Sequence, residues 1–210
     1  MKEQQIKEEL TKTVSGSHYN GWNNRTTFGY HSYNIEDVNI VGQRNPKMRL
    51  ETIRNSVDFE GKNVIDFGCN VGSMLHHLHE IKNGAGFDYD TKCINAANNI
   101  SKILGRDNLT YKVHDFDKES YDSLKSKITF TPDIIFVLSL GSWVKTWENL
   151  YSTCLSYECD IILEINNVQE GASQIDFFKK RGMTVAMIMD NSKDDSTGNN
   201  RRKTYLINKK

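Results

Sequence analysis

Along residues 63–81 the spacing of apolar side chains changes period within a few positions. Val64, Ile65 and Phe67 form a short apolar run of the kind a buried strand shows. Gly68, Asn70 and Gly72 follow, residue types that reach left-handed dihedrals or let another backbone come close. Met74, Leu75, Leu78 and Ile81 then repeat at helical spacing, so the stretch predicts strand, turn and helix. The same alternation continues downstream. Residues 84–90 and 109–117 read as strands, Ile94, Ala97, Ile100, Ile103 and Leu104 as a crossover helix, and residues 121–128 as another. Residues 132–139 are apolar almost throughout, which places them at a sheet centre covered on both faces. Residues 160–165 give a fifth buried strand, ending in Glu164, Asn166 and Asn167. Ala172, Ile175 and Phe178 mark its helix, with Gly182 as the stop. Two closing strands, 183–189 and 203–207, flank a polar connector at 190–200 whose turn formers predict a mobile loop. Joined without a helix, these two strands pair antiparallel.

Upstream, Ile6, Leu10 and Val14 lie four apart and predict a helix with one narrow apolar stripe, either capping the domain or meeting a partner. A polar loop at 15–25 carries Tyr19 and Trp22, a combination that points to function. Residues 27–34 alternate like a short strand. Pro46 sits at the first turn of a helix whose apolar side is Met48, Leu50, Ile53 and Val57.

The chemistry lies at the strand ends. A glycine turn at a helix start presents bare N–H groups to whatever lies over the strand's carboxyl end. Asp66 adds a carboxylate just before it. About 20 residues on, where dinucleotide folds hold ribose hydroxyls with an acid, Asp88 ends the second strand, and Asp115 ends the third. Three successive strands thus finish in acids on one edge.

From about residue 62 onward the chain resembles the class I S-adenosylmethionine-dependent methyltransferase family, through the turn from Asp66 to Gly72, through Asp88 and Asp115, and through the antiparallel ending. Asn70 stands where many members have glycine, and tolerates the same dihedrals. The resemblance implies an α/β fold: a doubly wound, Rossmann-like seven-stranded sheet, mostly parallel with an antiparallel C-terminal strand, flanked by helices. It implies S-adenosyl-L-methionine as cofactor, with the turn under the methionine part, Asp88 on the ribose hydroxyls and Asp115 on the adenine amine. Carried over residue by residue, the cofactor contacts are Asp66, Gly68, Cys69, Asn70, Gly72, Asp88, Tyr89, Asp115, Phe116 and Ser139. Residues 59–210 form the cofactor-binding domain, and residues 1–58 an extension and lid over the site. The segments 30–32 and 42–44 are also similar to the approach to the sheet in tRNA wobble-uridine carboxymethyl transferases.

Composition narrows this further. In 210 residues, one domain's length, 27 basic and 27 acidic side chains cancel, so no overall field draws the chain to nucleic acid or membrane. A small-molecule acceptor is therefore favoured over nucleic acid. Four cysteines without paired spacing fit free thiols, a reducing cytosol and no metal. No apolar stretch has signal-peptide or membrane-span length, so the expected location is cytoplasmic. His76, His77 and His79 read as helix surface.

Transfer to a hydroxyl or protonated nitrogen needs a general base, usually histidine. His31, in the segment folding over the site, is that candidate, or packs between Tyr30 and Tyr33. Arg44, placed with the catalytic groups, and Arg49, placed with substrate binding, either clamp a carboxylate or phosphate or pair with surface acids. Trp143 lines the acceptor pocket or anchors the next helix, as Trp147 does. Three readings follow: methyl transfer by in-line displacement at the sulfonium to an unidentified acceptor; carboxymethyl transfer from carboxy-S-adenosylmethionine to a tRNA uridine, which needs Arg44 or Arg49 at the extra carboxylate; and a non-catalytic cofactor-binding module.

Overall fold

A computed structural model describes residues 1–14, 29–166, 168–196 and 201–209. Tyr19, Trp22 and the first residues of the stretch read as a strand at 27–34 lie outside the described residues. The elements in chain order are α1 (Lys2–Val14), β1 (Tyr33–Ile35), β2 (Val38–Ile40), α2 (Pro46–Ile53), β3 (Asn63–Phe67), α3 (Ser73–His76), β4 (Asn83–Asp88), α4 (Thr91–Leu104), β5 (Leu109–Val113), α5 (Tyr121–Lys127), β6 (Ile134–Leu138), α6 (Trp147–Leu155), β7 (Asp160–Ile165), α7 (Val168–Lys179), β8 (Thr184–Met189) and β9 (Lys203–Asn208).

Strands β3 to β9 form one sheet in the order β5-β4-β3-β6-β7-β9-β8. Pairing is parallel from β5 through β7, and β9 runs against both of its neighbours. This is the seven-stranded, mostly parallel sheet with an antiparallel final strand that the sequence predicts. Strand alternation divides the core in two. Ile65, Phe67, Ile135, Val137, Ile161 and Leu163 face α5, α6 and α7 through Leu124, Leu150 and Phe178. Val64, Ile134, Phe136 and Ile162 face the other way, onto Leu50 and Ile53 of α2 and Ile94 and Ala97 of α4. The chain winds from β3 outward to β5, then returns to lay β6 on β3's other side. That reversal opens a crevice at the carboxyl ends of β3 and β6, where open α/β sheets bind ligands.

A third cluster covers the outside of α4. Ile6 and Leu10 of α1 pack with Tyr33, Ile35, Val38 and Ile40 of the β1–β2 hairpin against Cys93, Ala96, Ile100 and Leu104. The apolar stripe of α1 therefore caps the domain. Helix α4 is bounded by the Asp90 carboxylate, which accepts from the Lys92 and Cys93 N–H groups, and by Gly105 in the left-handed region, a paired start and stop.

Three expectations need correction. Helix α3 is one turn long and stops at His76, because Arg106 takes the carbonyls of His76 and Leu78; Leu78 and Ile81 are buried beyond it in irregular chain. His76 and His77 are buried, not helix surface. His76 lies 3.2 Å from the Tyr33 hydroxyl and 3.0 Å from Ser101 Oγ, while His77 Nδ1 lies 2.7 Å from the Ser73 carbonyl and Nε2 accepts from the Asn34 N–H. Residues 190–196 of the connector are packed, against the expectation from composition: Ser192, Asp194 and Asp195 are buried, and Asn45 and Ser196 N–H groups bond across to the Asp194 and Gln43 carbonyls.

Candidate functional site

The turn between β3 and α3 holds three residues at positive φ: Gly68 at 77°, Asn70 at 50° and Gly72 at 74°. Only Gly72 is sterically compelled, since a Cβ there would lie 2.5 Å from the Tyr111 ring. The Tyr111 hydroxyl donates to the Gly72 carbonyl at 3.2 Å. Gly68 and Cys69 N–H groups donate to the Phe87 carbonyl at 2.8 and 3.1 Å, which pins the turn to the end of β4. The Asn70 N–H donates to Asp88 Oδ2 at 2.9 Å, and its side-chain carbonyl accepts from the Val71 N–H at 2.9 Å. Asparagine thus fills a left-handed position and braces the turn with its own side chain.

Asp88 also accepts from the Asp90 N–H at 3.0 Å, so its carboxylate joins the first turn to the start of α4. Asp66, one residue before the end of β3, is buried. Burial raises its pKa to about 8; Arg49 opposes this and the nearby Asp88 charge adds to it. Asp115 lies just beyond β5, partly exposed, with Lys118 at 2.9 Å and the Asp117 N–H donating to it. Topology therefore brings Asp66, Asp88 and Asp115 to one sheet edge. Tyr89 is half exposed beside Asp88. Two other residues point inward: Phe116 packs edge-on against Phe67 at 5.6 Å, and Cys69 is buried, its thiol pushed up by burial and by Asp88 and Asp66.

Across the crevice, Ser139 follows β6 at φ 61°. Its N–H donates to the Glu164 carbonyl, its hydroxyl to the Glu164 carboxylate, and its carbonyl accepts from Asn166 Nδ2 at 3.2 Å. Trp143 is 61 % exposed, whereas Trp147 packs against Tyr151 and Phe177.

Behind Ser139 lies an ionic cluster that sequence reasoning missed. Arg44 is fully buried, with Nε 2.9 Å from Asp194, Nη1 3.1 Å from Asp195 and Nη2 3.5 Å from Glu164. Arg49 meets Asp194 at 3.0 Å and Glu164 at 3.4 Å. Arg202 reaches Glu164 at 3.3 Å. Burial works to raise the Glu164 pKa, but Arg49, Arg44 and Arg202 with the Ser139 hydroxyl outweigh it and hold the group at about 2. Arg44 and Arg49 thus pair with buried carboxylates of the protein rather than with surface acids. Asp194, Asp195 and Arg202 gave no sequence signal, being charges inside a stretch rich in turn formers.

His31 is buried against the Tyr30 ring, centroids 4.5 Å apart, and its backbone bridges to Arg44. Among the described residues its buried Nδ1 has no hydrogen-bond partner. Burial, then Arg49 and Arg44, holds its pKa well below the usual histidine value, so the ring is neutral at physiological pH. Among the described residues no helix is long and apolar enough to cross a membrane.

No protein-family model and no curated protein sequence matches the chain. Solved structures do match in shape. EvdMO1 aligns at a TM-score of 0.59 and 11 % identity over 84 % of this chain, which spans only 43 % of EvdMO1's own length. A SAM-dependent methyltransferase from Aquifex aeolicus aligns at 0.58 and 13 % identity, over 79 % of this chain and 90 % of that one. Magnesium protoporphyrin IX methyltransferase (ChlM) from Synechocystis PCC 6803, solved with bound SAM, aligns at 0.57 and 16 %, over 79 % and 80 %. At these identities the likeness is one of fold: a Rossmann-like methyltransferase fold.

Proposed function

We propose that the crevice at the carboxyl ends of β3, β4 and β6 binds S-adenosyl-L-methionine and that the chain is a methyltransferase acting on an acceptor held near Ser139. The observation that carries this reading is the gathering of Asp66, Asp88, Asp115 and a turn with three left-handed residues along one edge of the sheet. The cofactor supplies a methyl group on a positively charged sulfur. The protein's own residues do the rest. Gly72 makes room for the Tyr111 ring, and the turn's Gly68, Cys69 and Asn70 N–H groups are held by Phe87 and Asp88, which fixes the floor on which the ligand would rest. Asp88, anchored by two backbone N–H groups, is the acid assigned to hydroxyl donors, and Asp115, partly exposed, is the acid assigned to an amine. Of the N-terminal segment, Tyr30 reaches the β6–β7 end of the crevice through Arg202 and Arg44 and Arg49 reach it through Glu164, while Trp143, exposed just beyond β6, is assigned to the acceptor side.

The acceptor atom must be aligned about 3 to 3.5 Å from the carbon it attacks, away from bulk water. An amine or thiolate needs no further help. For a hydroxyl acceptor, His31 is the proton acceptor, already neutral because burial and the arginines keep it so. The test is binding of adenosylhomocysteine, read as a rise in melting temperature. Asp88→Ala removes most of that rise, judged against the variant's own unliganded midpoint because the substitution also loosens the turn. No rise in the unmodified protein refutes the reading.

A further inference from the structure

The three arginines behind Ser139 are not equivalent. Arg44 and Arg49 are enclosed, their guanidinium groups directed onto Glu164, Asp194 and Asp195. Arg202 is 12 % exposed, and each of its contacts runs through one nitrogen: Nη1 lies 3.3 Å from the Tyr30 hydroxyl, 3.0 Å from Ser139 Oγ and 3.3 Å from Glu164 Oε1. The other side of the fork, Nε and Nη2, has no partner among the described residues. Glu164 is the carboxylate Arg202 meets, and it is shared with Arg44 and Arg49, so its single charge is spread over three cations.

We propose that the outward edge of Arg202, beside Ser139 at the end of β6, binds a carboxylate in the transfer site. This rests on the crevice being the cofactor site. A guanidinium offers parallel N–H donors that match a planar carboxylate. Three contacts already fix its orientation, so little side-chain freedom is lost when the ligand arrives. The carboxylate belongs either to the acceptor molecule or to a carboxylated substituent on the donor's sulfur, and both present the same group. The second source asks for a cation at the sulfonium substituent; Arg44 and Arg49 are closed off from that role, and Arg202 is open to it.

The test begins with the adenosylhomocysteine complex, whose thermal shift reports the cofactor reading alone. Benzoate and its neutral isostere benzamide are then titrated by NMR into the protein with and without adenosylhomocysteine. If the acceptor carries the carboxylate, benzoate binds at least about tenfold more tightly than benzamide, and Arg202→Met abolishes the difference while Arg202→Lys keeps part of it. If the donor carries it, benzoate shows no preference, but carboxy-S-adenosylmethionine binds about tenfold more tightly than S-adenosylmethionine, and Arg202→Met removes that gap. The proposal is overturned if neither anionic ligand is preferred, or if Arg202→Met retains the preference. Should Arg202→Met fail to fold, the two isostere comparisons on the unmodified protein and on Arg202→Lys still decide. Absence of an adenosylhomocysteine shift strikes the cofactor reading, whereas the benzoate comparison reads Arg202 independently.

Discussion

Replacing Glu164 by glutamine keeps size and one acceptor but takes away the charge that three arginines share. In the folded protein Glu164 Oε1 faces Ser139, Arg202 at 3.3 Å and Arg44 at 3.5 Å, and Oε2 faces Arg49 at 3.4 Å. Glutamine would direct an amide NH2 toward one of these cations and, among the described residues, leave Asp194 and Asp195 as the carboxylates of the cluster. Two routes give the cost. Removing one partner of a buried ion pair costs about 3 to 5 kcal/mol. Separately, the fall of the Glu164 pKa from 4.5 to about 2 corresponds to about 3 kcal/mol at about 1.4 kcal/mol per unit. Urea unfolding at pH 7, followed by tryptophan fluorescence, should therefore show Glu164→Gln less stable by about 3 kcal/mol. The pH dependence is a second reading. Because the folded pKa is depressed, the Glu164 contribution is present above pH 4.5 and lost as pH falls toward 2, so the unmodified protein loses stability in that window and the variant loses less. A loss below about 1 kcal/mol, together with an unchanged acid limb, would refute a charge-compensating role for Glu164.

Three further outcomes follow from the turn and its surroundings. Gly72→Ala combines a left-handed φ with a Cβ 2.5 Å from the Tyr111 ring and should cost about 2 to 5 kcal/mol, whereas Gly105→Ala, at φ 67° in open space, should cost about 1 to 2 kcal/mol; equal losses in thermal unfolding would contradict the close packing. Asp66, raised to about 8 in the fold, contributes stability that is complete below its unfolded pKa of 3.8 and is lost as pH rises through 8, with a slope of up to about 1.4 kcal/mol per pH unit; Asp66→Asn should flatten stability against pH there, and an unaltered slope argues against a buried neutral carboxyl. His77, lowered to about 4 by burial, should show no ring titration by NMR between pH 8 and 5.5 and should carry its proton on Nδ1, facing the Ser73 carbonyl. A midpoint near 6.5 would mean the ring is solvated.

The sheet was legible because its strands are buried on both faces. Runs such as residues 134–138 leave a reader few alternatives to a central strand. The first-turn acids were legible too, since each closes an apolar run before a turn. Asn70 conformed because its side chain can stabilise the left-handed geometry that glycine reaches without help. What escaped was the cluster of Arg44, Arg49, Glu164, Asp194, Asp195 and Arg202. Charged residues in a polar stretch carry no periodicity to say whether water or another segment neutralises them, and these partners are up to about 150 positions apart, so no local pattern pairs them. Arg202 passed unnoticed beside the masking turn formers for that reason. The buried histidines escaped differently. Apolar spacing over 74–81 implied a continuing helix with a wet face, and nothing local announced that Arg106 would end it after one turn.

Strand β9 lies between β7 and β8 although it is the last of the three in the chain. On a ribosome, β7 and β8 are therefore both made before the strand that joins them exists, and each waits with an open row of backbone donors and acceptors. Until residues 203–208 have left the exit tunnel, one half of the sheet has nothing to zip onto. Translation that stalls before residue 203 should yield a sticky, protease-sensitive product rather than a folded sheet.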